Sequence, residues 1–311
     1  MTAASTRPRR SLRGYLFLAP NAVGFLAFML LPLAASLILA FTDCEMLDPD
    51  VRFVGFHNFV QLVGFHRSET GWEANDPAFW KYLGNTVFLM LGIPLSMAAS
   101  LMLAILVNSR IKGIVTFRTL LYLPTICSGI AVLMLWRLMY HADIGLVNRV
   151  LALVGVRGPN WLDSTTWAKP ALIIMGIWLA AGGNNMIIYL AGLQNIPPEL
   201  YEAAEIDGAG AWHRFRHVTW PMLAPTTFFI FTMSMIGGFQ GGFNAAYILT
   251  KGGPAGSTTT ISYYIYNTAY TGELLMGYGC AVAWILFLLV FAVTLLNWRY
   301  GGRSATEGWQ Q

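Results

Sequence analysis

Charge is scarce in this chain. Asp, Glu, Lys and Arg make up 11% of its 311 residues, against about 25% in an ordinary soluble domain. That excludes a conventional water-soluble globule. Cysteine is scarcer: Cys44, Cys127 and Cys280 are too few and too scattered for a disulfide framework. No lysine precedes Ser or Thr, since Lys81 precedes Tyr, Lys112 and Lys251 precede Gly, and Lys169 precedes Pro. A Walker A phosphate loop needs Gly-Lys-Ser/Thr, so that backbone N–H groups, lysine and hydroxyl reach phosphate and Mg²⁺ together. The chain therefore carries no such ATP site. Its basic residues form no stripe with interleaved aromatics, which argues against nucleic acid as a partner.

What is there is apolar: 56% of the residues are hydrophobic. A membrane span needs about 20 consecutive apolar residues. Six stretches fit: 15–41, 82–107, 119–140, 170–193, 222–249 and 275–298. The reading is an all-α polytopic membrane protein with six transmembrane helices in residues 15–300. A basic tail (1–14) precedes them and a short tail (301–311) follows. The apolar stretch after Arg13 is too long for a signal-peptide core and lacks a small-residue cleavage site, so it reads as an uncleaved first span. With both termini in the cytoplasm, eleven Lys and Arg fall on the cytoplasmic side and seven outside, and Arg137 lies within the third span. This bias favours that orientation. No span has an Asp or Glu in its interior. Ion-driven carriers commonly place a carboxylate there, so a secondary carrier is the weaker reading. No Ser/His/Asp or Cys/His set suggests catalysis. His213 and His217 share a helical spacing, but no acidic residue completes a metal site.

A charged, turn-containing island between two apolar stretches runs over 197–221. Pro197-Pro198 can open a short helix, where a missing N–H costs nothing. Glu199, Glu202 and Glu205 lie toward its electropositive end. Asp207-Gly208-Ala209-Gly210 breaks it, and a second short helix follows over 211–218. Glu202-Ala203-Ala204, Gly208 and Pro221 stand at the spacing of the EAA loop in the membrane subunits of bacterial ABC importers, which this island resembles. Val218 and Trp220 replace the usual Ile and Leu and stay apolar. Gly55-Phe56-His57-Asn58-Phe59, Ile144-Gly145-Leu146-Val147-Asn148, Asn160-Trp161-Leu162 and Gly252-Gly253-Pro254 also resemble elements of the carbohydrate-uptake branch, related to the maltose and glycerol-phosphate permeases. The resemblance covers about residues 15–300.

It implies the type I importer permease fold in the bacterial inner membrane, with the 197–221 loop transmitting ATPase motion. Glu202, Ala203, Ala204, Asp207 and Gly208 are the coupling candidates. It also implies a second permease, two ATPase subunits that hold ATP and Mg²⁺, and an extracytoplasmic solute-binding protein. This chain needs no cofactor of its own. In maltose-type importers, polar and aromatic residues of the fourth and fifth spans contact sugar. Asn184, Asn185, Phe239, Gln240, Phe243 and Asn244 occupy such positions here. Amides both donate and accept hydrogen bonds, which suits neutral hydroxyl-rich solutes. The same amides and glycines also serve as interhelical packing.

Overall fold

A computed structural model describes residues 12–48, 50–69, 71–109 and 112–307. The first apolar stretch is helical from Leu12–Phe25 (α1), through a wider π turn at Leu26–Leu30, to Leu31–Leu39 (α2). None of its membrane-length segment Phe17–Leu39 is buried against the rest of the chain.

The segment that follows α2 is ordered. Its short helix His57–Val63 (α3) leads into a ribbon of Phe65–Ser68 (β1) and Gly71–Ala74 (β2), paired antiparallel with Ser68 opposite Gly71. The all-helical expectation thus misses one small ribbon. Asn58, the polar member of the Gly-x-x-Asn-Phe element, is buried. Its amide donates to the carbonyls of Ala40 and Thr42 at 3.0 and 2.8 Å. These lie just beyond α2, where a helix end leaves acceptors without partners.

Pro77–Met90 (α4) and Gly92–Val107 (α5) form one membrane-length helical segment. Ile114–Ile126 (α6) and Gly129–Met139 (α7) meet at 96°. Pro124 removes a donor from the last turn of α6 just before this break. Leu146–Leu153 (α8) lies in the segment that follows α7, where Asn148 donates to the carbonyls of Ala142 and Pro159 and accepts from Trp161 Nε1 at 2.6 Å. Ala168–Ala181 (α9) and Asn184–Gln194 (α10) are bent by 42° at Gly182-Gly183.

The polar island forms Pro198–Ile206 (α11) and Ala211–Arg214 (α12). A π turn at Phe215–Thr219 and the short Trp220–Met222 (α13) carry the chain at 63° into Ala224–Gln240 (α14). The expected fifth span over 222–249 is not one helix. Gly241 and Gly242 break it, and Phe243–Ala245 (α15) resumes into a π turn at Ala246–Thr250. The expected outer loop over 250–274 holds another helix, Ile261–Tyr266 (α16), with a π turn at Asn267–Thr271. Met276–Glu307 (α17) is the last helix. Among the described residues, three helices can each cross a membrane by length and composition, and three bent pairs pass the same test together.

The body is α5 packed on α9 and α10, with α14 against α17. Ser100, fully buried, donates to the carbonyls of Ser96 in its own helix and Ala180 in α9. Small hydroxyl residues let helices approach and bond in the absence of water.

Candidate functional site

The polar island is shaped by its own backbone chemistry. Pro198 occupies the first turn of α11. Gly208 has φ +74°, a left-handed conformation that costs an ordinary residue about 1–2 kcal/mol. Its N–H donates to Glu205 O at 3.0 Å, and the next N–H, of Ala209, donates to Ala204 O at 2.9 Å. This pair of bonds is the Schellman closure of a helix. The Glu-Ala-Ala and Gly signature therefore contains both the last turn of a helix and the glycine that ends it. Glu202, Ala203, Asp207 and Gly208 are exposed and Ala204 is half-buried. Ile206 is 87% exposed beside them and Trp212 is 71% exposed across the turn. An apolar tip ringed by carboxylates is a surface made to be covered.

Two contacts hold the two short helices together. Arg214 pairs with Glu205 at 3.6 Å. Tyr201 and Thr219 share a hydroxyl hydrogen bond at 3.0 Å. His213 and His217 stack with ring centroids 4.1 Å apart, and His217 Nδ1 lies 3.1 Å from His213 O. Among the described residues, no three His, Cys, Asp or Glu side chains converge as a metal site would require.

The solute candidates lie at the two glycine breaks. At Gly182-Gly183 a Cβ on Gly182 would collide with the carbonyl of Leu121 in α6. Asn184 opens α10 beyond that break, exposed, and accepts from Tyr122 Oη at 3.1 Å. Asn185 is half-buried. At the other break Gly242 has φ +82°, and a Cβ there would lie 2.7 Å from Thr260 Cγ2. Gln240 and Asn244 flank it, both exposed. No hydrogen bond joins Asn184 to Asn244. Phe239 is 5% exposed and packs among Leu62, Phe79, Met90 and Ile261. Its ring is part of the core in this arrangement. Phe243 instead stacks on Tyr247, with centroids 5.6 Å apart and planes 7° apart.

Sequence reasoning missed the partners of Phe243. Tyr263 and Tyr266 of α16 meet it edge to face at 5.9 and 5.1 Å, and Tyr270 follows Tyr266 at 5.8 Å. The signal was present: aromatics at 263, 266 and 270 repeat at helical spacing inside a segment read as loop.

Asp76 ties this outer part together. Buried, it caps α4 by accepting from Phe79 N–H at 2.9 Å, and its other oxygen accepts from Tyr264 and Tyr278 at 2.7 and 2.6 Å. Burial, and then the Asp76 carboxylate, push the Tyr264 phenol above its usual pKa.

Comparison with known proteins decides what this architecture is. The family described as binding-protein-dependent transport system inner membrane component matches residues 25–301. The chain belongs to that family. Among its relatives, the lactose transport system permease protein LacF of Rhizobium radiobacter is 38% identical, over 96% of this chain and 99% of the relative. The trehalose/maltose permease protein MalF of Thermococcus litoralis is 31% identical, over 94% of this chain and 95% of the relative. A crystal structure of a bacterial ABC transporter that imports the acidic polysaccharide alginate contains a similar chain. Its TM-score is 0.79 at 26% identity, covering 94% of this chain and 96% of that one. A second, of the alginate transporter with a periplasmic protein bound to alginate pentasaccharide, gives 0.80 at 25% identity, over 95% and 96%. An inner-membrane component of this family is a multi-pass permease, and its helices are as apolar as that requires.

Proposed function

We propose that this chain is one of the two permeases of an ATP-driven importer for a sugar or oligosaccharide. The match of nearly the whole chain to the transport family carries the reading, because named relatives over that length transport carbohydrates. The three membrane-length helices and the three bent pairs account for six spans, the fifth entering the membrane at about residue 222 after the coupling loop, with both termini cytoplasmic. The exposed Glu202–Gly208 tip docks an ATPase subunit, and ATP with Mg²⁺ binds between two such subunits. A solute-binding protein delivers solute from outside. ATP-driven closure of the ATPase pair moves the coupling loop as a rigid unit and switches the spans between two arrangements. Asn184, Asn185, Gln240, Phe243 and Asn244 are the solute contacts. Exposed amides beside glycine breaks suit a neutral hydroxyl-rich ligand.

The test is uptake into proteoliposomes that hold this chain with its second permease and ATPase. Labelled lactose, maltose, trehalose or arabinotriose is supplied with the binding protein. Uptake should require both ATP inside and loaded binding protein outside. Uptake driven by a proton or sodium gradient without ATP would mean a secondary carrier. Labelling of single cysteines placed at residues 5, 70 and 305 checks the topology, and only residue 70 should react from outside.

A further inference from the structure

The sequence singles out Phe243 and the amides around it, but the structure packs Phe243 against three tyrosines, Tyr247, Tyr263 and Tyr266, from two separate elements. Phe243 and Tyr247, one helical turn apart, present nearly parallel rings. Tyr263 and Tyr266 of α16 stand at 66–72° to both. Tyr270 extends the row. Tyr247 and Tyr270 are 47% and 50% exposed, so the cluster is open on one side.

The hydroxyls of the cluster are uncommitted. Tyr122, Tyr140, Tyr201, Tyr264 and Tyr278 each bond a protein partner. The phenols of Tyr247, Tyr263, Tyr266 and Tyr270 bond none among the described residues. They also converge: burial, and then proximity to Tyr247 and Tyr266, raise the Tyr263 phenol above its usual pKa. The half-exposed rings of Tyr247 and Tyr270, with the unspent hydroxyls of the cluster, match the two sides of a sugar ring, whose C–H face is apolar and whose edge is hydroxyl-rich. The wall is also held in place. The carbonyl of Gln240 accepts from Ser262 Oγ at 2.8 Å, pinning α16 to the Gly241-Gly242 break.

Resting on the carbohydrate reading above, we propose that Tyr247, Tyr263, Tyr266 and Tyr270 form a stacking surface for a saccharide ring. With Phe243 they meet sugar on the outer side of the Gly241-Gly242 break, before it passes Asn244 and Gln240. Tyrosine also gathers at membrane interfaces as an anchor to lipid headgroups. An anchor needs no mutual packing of rings from two elements, so the geometry favours the saccharide and the lipid becomes an outcome of the test.

The experiment uses the complete complex in proteoliposomes with its binding protein and whichever labelled sugar, among lactose, maltose, trehalose and arabinotriose, the unaltered complex takes up. The readout is sugar imported per ATP hydrolysed. Tyr247→Ala and Tyr266→Ala should each lower that ratio by roughly threefold to tenfold, the size expected for an aromatic contact of this kind. The double variant Tyr247→Phe with Tyr266→Phe keeps the rings and removes the hydroxyls, and should lower the ratio by about half that factor. Unchanged ratios in the Ala variants overturn the proposal. If the Ala variants fail to assemble, the Phe pair decides, and an unchanged ratio there overturns it. A loss that disappears when anionic vesicles replace zwitterionic ones means a lipid anchor and also overturns it. Absence of uptake for every sugar by the unaltered complex removes the carbohydrate reading itself, and the stacking surface with it. Uptake by the unaltered complex with indifferent tyrosine variants removes the stacking surface alone.

Discussion

The polar island of residues 197–221 and the segment of residues 250–271 are held in opposite ways. The island is built from local chemistry. Its turn is closed by two bonds within five residues of each other, and its ion pair spans Glu205 to Arg214. The second segment is fastened from far away in sequence. Lys81 Nζ donates to Ala255 O at 2.6 Å, and Asn85 Nδ2 donates to Gly256 O and Thr259 O at 2.9 and 3.0 Å. Thr86 accepts from Ile261 N–H. Asp76 gathers Tyr264 and Tyr278. A self-contained loop can move as a unit without losing its shape. A segment bonded to α4 and α17 keeps its shape only while those helices stay where they are. The first arrangement suits a lever and the second a fixed wall.

Three perturbations test that contrast. The largest effect is expected at Asp76→Ala, which leaves the Phe79 N–H and the hydroxyls of Tyr264 and Tyr278 without their acceptor. The cost is about 3 kcal/mol. The thermal midpoint of the purified complex should fall by several degrees, and an unchanged midpoint would break the idea of a fixed wall. Gly208→Val comes next. It forces a β-branched residue to φ +74°, at about 1–2 kcal/mol of local strain, and the tip should lose its docking shape. Transport should drop at least tenfold, on the order of 1.4 kcal/mol, while the midpoint moves far less than for Asp76→Ala. A Gly208→Val complex that melts early yet transports normally would reverse the assignment of lever and wall. Arg214→Gln should do least. The pair it breaks is solvent-exposed, with Glu205 71% accessible, and such pairs contribute about 0–1 kcal/mol. Transport within twofold of the unaltered complex is expected, and a loss as large as that of Gly208→Val would make the ion pair part of the lever.

The same contrast explains what the sequence disclosed. Pro198, Glu202-Ala203-Ala204 and Gly208 prescribe a helix start, a helix end and a left-handed glycine within eleven residues, so the two-helix shape of the island was legible. The apolar stretches were legible too, because a span is a local property of composition. The breaks inside the stretches were partly visible as Gly182-Gly183 and Gly241-Gly242, yet a pair of glycines also reads as close helix packing. Asn58 and Asn148 stood out as elements of the carbohydrate branch, and the structure gives each a tie-down role in a loop. Phe239 and Phe243 could not be separated by sequence, since four residues put them one turn apart in an unbroken helix. The left-handed Gly242 turns one ring into the core and the other toward Tyr263. The helix at 261–266 showed in the sequence only as aromatics at helical spacing, while the partners that fix it lie far away in α4, α14 and α17.

The bonds from Asn85 also set a clock. Asn85 leaves the ribosome 174 residues before Thr259, and at about 5–20 residues per second that gap is about 9–35 s. Throughout it Thr86 can return its hydroxyl to Tyr82 O in its own helix. The Asn85 amide has no such refuge, and water must serve it until the last third of the chain arrives. The outer wall is thus the final part of the newborn protein to set, and a chain stopped short of residue 256 would carry the mark of that wait as a hydrated amide on a finished helix.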